Sequence, residues 1–201
     1  MNDHASQDLP ELTVLSESQL QESGCNAAER NFHWEELQKL YENRDGMAWT
    51  QVDQGPNMTL KRCFPPNADG VIKLKAEMLI KVPLEVLILL GCDFDKRKEW
   101  EDVLTDLRVF SKAADLSYTR LAYTFGSPWP ASDRDFYLEQ LIRKDFPKQG
   151  LTSIMSITLP MADEYPAKKG TVRAKLNIQM ILEPFIDAET GLEYCNMVLA
   201  N

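Results

Sequence analysis

The feature that most constrains this chain is a long stretch of alternation at residues 171–183. Its apolar side chains take every even position: Val172, Ala174, Leu176, Ile178, Met180 and Leu182. Most of the odd positions are polar, which predicts an antiparallel strand with one buried face. A strand of this length needs a second layer over that face. No helical pattern follows residue 106, so the sheet is expected to curl around an interior.

The rest of the chain adds more strands and few helices. Helices are predicted at 31–43, at 84–91 and after Asp95, where Trp100, Val103, Leu104 and Leu107 show helical spacing. Eight further strands are predicted at 47–53, 57–64, 71–80, 107–113, 116–125, 134–144, 152–160 and 192–199. Residues 1–27 are polar and acidic and are expected to form a flexible tail. The fold class is therefore α+β, with one domain over residues 28–201.

Composition narrows the classes of function. The net charge of −9 argues against nucleic acid, whose binding needs clustered Lys and Arg. The chain has only two histidines, and its four cysteines are widely spaced, so it has few residues suited to a metal site or a catalytic triad. No metal and no cofactor are therefore expected. The cysteines are expected to be reduced thiols in a cytoplasmic protein. No apolar run reaches the ~18 residues of a membrane span.

Three motifs occur in one order along the chain: DFDKRKEWE at 93–101, PWPASDRDF at 128–136 and KGTVRA at 169–174. They resemble segments of the START (steroidogenic-acute-regulatory-related lipid-transfer) family, and the second is nearer to the phosphatidylcholine-transfer type. The resemblance covers about residues 31–201. It implies a helix-grip fold, in which a curved nine-stranded antiparallel sheet grips a long C-terminal helix around a lipid cavity. The sequence stops at Asn201 without that helix, so an open apolar face is expected.

The resemblance and the alternation together predict a lipid-binding set. Leu121, Tyr123, Phe125, Phe136, Leu138 and Ile142 are expected to point inward. Met155, Ile157, Leu159, Leu176, Ile178 and Met180 are expected to join them. The alternative is that these side chains pack only against one another or against a helix.

Few polar groups are predicted on the inward face. Gln140 falls on the inward side of its strand, at a position where many family members have an arginine. A neutral amide there avoids the cost of a buried charge. Arg62 falls on a second inward set and is a candidate phosphate ligand, although a surface role is the alternative. Arg134 and Asp135 are expected to form a local charge clamp, and Arg97 a structural ion pair beside an inward Trp100.

Trp129 is the candidate membrane contact, because it lies in a proline-stiffened loop and tryptophan suits the membrane interface. The predicted function is to bind one lipid, a phospholipid or sterol, and to transfer or sense it between membranes through transient contact. Such binding needs no catalytic residue. The alternatives are a non-transferring scaffold or sensor and a cyclase- or hydrolase-type enzyme on the same fold.

Overall fold

The computed structural model describes residues 13–14, 27–65, 71–128, 130–160 and 164–201. Its helices are α1 (Ala27–Tyr41), α2 (Leu84–Cys92) and the single turn α3 (Arg97–Trp100). The strands before α2 are β1 (Thr13–Val14), β2 (Thr50–Gln54), β3 (Met58–Cys63) and β4 (Lys73–Ile80). Those after α3 are β5 (Leu104–Lys112), β6 (Tyr118–Phe125), β7 (Asp133–Lys144), β8 (Thr152–Thr158), β9 (Thr171–Arg173), β10 (Ile178–Ile186) and β11 (Glu193–Ala200).

Nine of the described strands form one antiparallel sheet. Their order is β5, β6, β7, β8, β10, β11, β4, β3, β2, so β11, the last strand in the chain, lies beside β4. The two shortest strands add in parallel, β1 beside β5 and β9 beside β7. The α+β class and the nine-stranded antiparallel sheet predicted from the sequence are therefore confirmed.

The sheet has two buried faces, each named here by the helix that covers it. On the α1 face, Leu37 packs with Ile181. On the α2 face, Leu87 packs with Leu182 and Met197. Ile181 and Leu182 are consecutive in β10, and successive side chains of a strand point to opposite sides. The two helices therefore lie on opposite sides of the same strands.

The long alternating strand predicted at 171–183 is broken in two. Thr171–Arg173 pairs in parallel with the start of β7, and antiparallel pairing resumes only at Ile178. Between them, the hydroxyl oxygen of Thr158 accepts a hydrogen bond from the Leu176 amide at 2.6 Å. The same hydroxyl lies 2.9 Å from the Leu176 carbonyl oxygen and donates to it. The Thr158 side chain thus satisfies the Leu176 N–H and C=O groups, which would bond to a neighbouring strand if the strand were continuous. The alternation of the sequence does not reveal this break.

The helix predicted after Asp95 is shorter than its spacing suggested. It ends at Trp100, and Leu104 and Leu107 belong to β5, where they pair with Phe125 and Tyr123 of β6. Apolar residues at helical spacing over a few residues can also occur in a strand. Here the pairing with β6 makes Leu104 and Leu107 part of a strand. Trp100, expected to point inward, is 52% exposed.

Candidate functional site

The α2 face carries an aromatic wall over β6 and β7. Tyr123 lies opposite Phe136, and their ring centroids are 5.2 Å apart. Phe125 completes the group at 4.9 Å from Tyr123 and 5.7 Å from Phe136. Leu121 and Leu138 pair directly beside this group and are almost fully buried. The structure therefore brings five of the predicted lining residues together on one face.

The apolar surface continues across the middle of the sheet. Ile142 of β7 pairs with Ile154 of β8, which pairs with Met180 of β10. Ile178 shares the face of Met180 by alternation, and Leu176 packs against the aromatic wall from the connecting segment. Further half-buried side chains extend this surface to α2 and β4: Met78, Ile80, Leu84, Leu87 and Ile88.

Three predicted lining residues lie on the wrong side of the sheet. Met155 and Ile157, with Leu159, pack on the α1 face in a cluster with Phe110 and Tyr137. The pairing of Ile157 with Glu139 fixes their side. Both sides of β8 are buried from Thr152 to Ile157, so its hydrophobic pattern does not tell which side faces which layer. The residues of β8 that face α2 are Thr152, Ile154, Ser156 and Thr158, and none of them was predicted to line the cavity.

Neutral polar groups cross the same face. Gln140 is 8% exposed, and its side-chain amide donates to the Cys92 thiol of α2 over 3.6 Å. Burial raises the pKa of that thiol, so Cys92 stays protonated near neutral pH. Gln140 pairs with Thr119 on one side and Ser156 on the other. The inward placement of Gln140 is thus as expected, and it has two polar neighbours.

Lys112 of β5 pairs directly with Thr119 on this face, and two arginines lie at its margins. Arg62 pairs across from Leu74 on the β3–β4 edge, is exposed, and has its guanidinium 5.4 Å from the Phe64 ring centroid. Arg97 lies 5.3 Å from the Tyr123 ring centroid and forms an ion pair with Glu101 at 2.5 Å. A phosphate contact by Arg62 remains a prediction. Trp129 lies outside the described residues.

Buried carboxylates occur on the α1 face instead. Asp135 is fully buried, and both Nε and Nη2 of Arg173 donate to its Oδ2, at 3.0 and 2.9 Å. The expected clamp between Arg134 and Asp135 is therefore wrong, because neighbouring residues of a strand point to opposite faces. Glu139, also fully buried, accepts two hydrogen bonds from Arg30 of α1, at 2.9 and 2.7 Å. These two pairs fasten α1 and β9 to the sheet.

A groove of about 480 Å³ also lies on the α1 side. His33, Trp49, Ile72 and Asn201 are among the residues that line it, between α1 and the ends of β4 and β11. Burial lowers the pKa of His33.

Among the described residues, no cluster of three or more potential ligands could hold a metal ion. None of the described helices has the length and apolar character that crossing a bilayer requires.

Comparison with known proteins relates this geometry to solved structures. No family model and no curated protein matches the sequence. Human StAR-related lipid transfer protein 5 matches with a TM-score of 0.68 and 19% identity, over 87% of this chain and 80% of that one. The chain has the START fold. Two other START-fold structures, human STARD10 and the lipid transfer and protein localization domain of human StarD13, agree with this assignment.

Those two matches are similar in quality. For STARD10 the TM-score is 0.64 at 17% identity, over 81% of this chain and 65% of that one. For StarD13 it is 0.60 at 18% identity, over 89% of this chain and 83% of that one. At these identities the likeness establishes the START fold, as the three sequence motifs predicted. The nearness to the phosphatidylcholine-transfer type is not confirmed.

Proposed function

We propose that this START-fold chain binds a single lipid on the α2 face and carries it between membranes. The observation that supports the proposal best is the apolar surface left half-buried there. Its members include Met78, Ile80, Ile142, Leu176, Ile178 and Met180. Removal of such surface from water is worth roughly 25 cal/mol per Å², so an acyl chain or sterol ring would bind there favourably.

The proposal favours binding over covalent chemistry. General acid–base catalysis needs a titratable group within hydrogen-bond reach of the ligand. The buried carboxylates of Asp135 and Glu139 point to the α1 face, each bound by an arginine. The central groups on the α2 face are a neutral amide and hydroxyls. A cyclase- or hydrolase-type activity would have to use residues other than these carboxylates.

Native mass spectrometry of the purified chain tests lipid binding. The protein is incubated with mixed phospholipid and sterol vesicles, separated from them and sprayed under native conditions. We expect one lipid per chain, because the half-buried face is a single continuous surface. Repeated recovery of lipid-free protein from every vesicle composition would contradict the proposal and favour a scaffold that keeps only the fold.

Transfer requires contact with a membrane, which we propose to occur through Trp129. The Trp129→Ala variant is expected to slow lipid exchange between vesicles about tenfold, a difference of ~1.4 kcal/mol in the activation barrier. Stopped-flow dequenching of a fluorescent lipid measures the exchange rate. Lipid bound per chain and melting temperature serve as controls and should change little. If Trp129→Ala also lowers the melting temperature strongly, Trp129 belongs to the core.

A further inference from the structure

The groove on the α1 side is a cavity that the proposed lipid site does not use. Its volume of about 480 Å³ lies within the range of small-molecule sites. Phe32 and His33 of α1 and Trp49 of the loop before β2 supply three aromatic rings to its walls, and Ile72 adds aliphatic surface. The groove is thus a second concave surface, on the opposite side of the sheet from the α2 face.

The aromatic rings of the groove are held by neighbouring groups. The ring centroids of Phe32 and His33 lie 5.4 Å apart in an edge contact. The indole N–H of Trp49 donates to the Asp45 carboxylate at 2.8 Å. Burial lowers the pKa of His33, so its ring is neutral near neutral pH. Such walls suit a flat apolar body, because aromatic rings pack well against other rings.

Two lysines of the groove have no carboxylate partner. Lys73 and Lys175 line the groove, and neither forms an ion pair with another residue that the structure describes. The two acids of the groove are already engaged. Glu36 binds Lys39 at 2.8 Å, and Asp45 is hydrogen-bonded within its own loop. The two lysines are therefore available to an anionic ligand.

The two lysines reach the groove from opposite sides of β11. Ala200, near the end of β11, pairs with Lys75 of β4 on one side and with Gln179 of β10 on the other. Lys73 lies two residues before Lys75, and Lys175 lies four residues before Gln179. Because β4 and β10 both run antiparallel to β11, the two lysines lie toward the same end of the sheet.

Further cations lie on the same face of the sheet. Lys61 and Lys75 are directly paired across β3 and β4, and both bind Glu77, at 2.8 and 3.2 Å. Lys73 is two residues from Lys75 and therefore shares its face. One carboxylate for three lysines leaves this area positive in a chain whose net charge is −9. The local charge therefore favours an anion.

Two side-chain amides add hydrogen-bond donors to the groove. Oδ1 of Asn201 accepts the Leu74 amide at 2.7 Å, and Oδ1 of Asn177 accepts the Thr158 amide at 3.3 Å. Both asparagines line the groove, and the NH₂ group of each is left as a donor. Lysine and amide donors together match the acceptor oxygens of a carboxylate or a phosphate.

From these observations we propose that the groove is a second ligand site, which binds a small anion with a flat apolar body. The carboxylate or phosphate group of the ligand binds Lys73 and Lys175, and its body packs against Phe32 and Trp49. The site lies apart from the α2 face and does not depend on lipid binding there.

Two-dimensional ¹H–¹⁵N NMR of the full chain tests the site with 2-naphthoate, 2-naphthyl phosphate and the neutral 2-naphthalenemethanol. Trp49 is one of four tryptophans, and its indole signal is assigned from the Trp49→Phe variant. We expect at least one anion to shift this signal and to bind about tenfold more tightly than the neutral probe. The tighter anion shows whether the groove takes a carboxylate or a phosphate.

A double variant assigns the affinity to the two lysines. Lys73→Gln combined with Lys175→Gln is expected to weaken binding of the preferred anion about tenfold and to leave the neutral probe unchanged, because only the charges are removed. Lys175→Gln alone, at an exposed position, should give a smaller loss in the same direction. Melting temperatures show that the variants stay folded.

Lys96→Gln combined with Lys148→Gln is the matched control. It removes two exposed lysines that do not line the groove, so it should bind both anions as the parent chain does. An equal loss in this control would mean that overall charge attracts the anion and would overturn the proposal. Failure of both anions to shift the Trp49 signal, or equal binding of the neutral probe, would also overturn it. Lipid counting on the same proteins judges the proposed function separately.

Discussion

Replacement of Glu139 by alanine is expected to lower the free energy of unfolding by about 3–5 kcal/mol, the usual cost of removing one partner of a buried ion pair. Glu139 is fully buried and accepts two hydrogen bonds from Arg30, whose side chain is 15% exposed. The change takes the carboxylate away from a guanidinium that has little access to water. Urea denaturation followed by circular dichroism measures the loss.

The same variant should loosen α1, because Arg30 lies in its first turn. Limited proteolysis is therefore expected to cut near α1 sooner than in the parent chain. Glu36→Ala is the matched control on the same helix, since Glu36 pairs with Lys39 at the surface. It should leave stability nearly unchanged, because exposed ion pairs contribute little. If Glu139→Ala behaves like Glu36→Ala, the Arg30 pair does not hold the helix.

Met180→Trp is expected to reduce lipid binding about tenfold, or ~1.4 kcal/mol, while the fold persists. Met180 is half-buried in the middle of the α2 face, paired with Ile154 and Leu199. An indole at this position would fill the space that an acyl chain or sterol would occupy. Because Met180 is only half-buried, part of the indole can extend toward solvent, so the cost of overpacking should be small. Native mass spectrometry and the melting temperature measure the two effects.

Lys175→Trp provides the comparison for that prediction. Lys175 is exposed and lines the groove on the α1 side, so a tryptophan there adds the same ring to the opposite side of the sheet. Its lipid binding should equal that of the parent chain. Equal losses in the two variants would mean that the α2 face is not where the lipid lies. A large fall in melting temperature for Met180→Trp alone would mean that this position is closed core.

Strands with one apolar and one polar side were the easiest part of the site to predict. In β6 and β7, alternation placed Leu121, Tyr123, Phe136 and Leu138 correctly, and Gln140 with them. Their side follows from a period of two, which any strand with one polar face keeps in its sequence. The START resemblance added the expectation that this side faces a lipid, which the composition alone does not contain.

The strand that failed was β8, where both sides are buried and, unlike in β6 and β7, no charged residue marks either side. Its residues are all apolar or small, so the pattern is satisfied whichever side faces α2. A shift of one residue in register replaces Met155 and Ile157 on that face by Ile154 and Ser156. Only the pairing of β8 with β7 and β10 resolves the choice. The place of Ser156 beside Gln140 on the α2 face depends on that register, so it could not have been found from the sequence.

The sequence by itself determined the α+β class, the antiparallel strands and the apolar side of each strand that has a polar side, because these depend on local periodicity. The tertiary structure alone decided which buried side of β8 faces α2, where the long strand breaks, and which arginine binds each buried carboxylate. Arg30 and Glu139 are 109 residues apart, and Arg173 and Asp135 are 38 apart. Such pairs follow from strand order and from the competition of side chains for backbone partners, which act between residues that are distant in the chain.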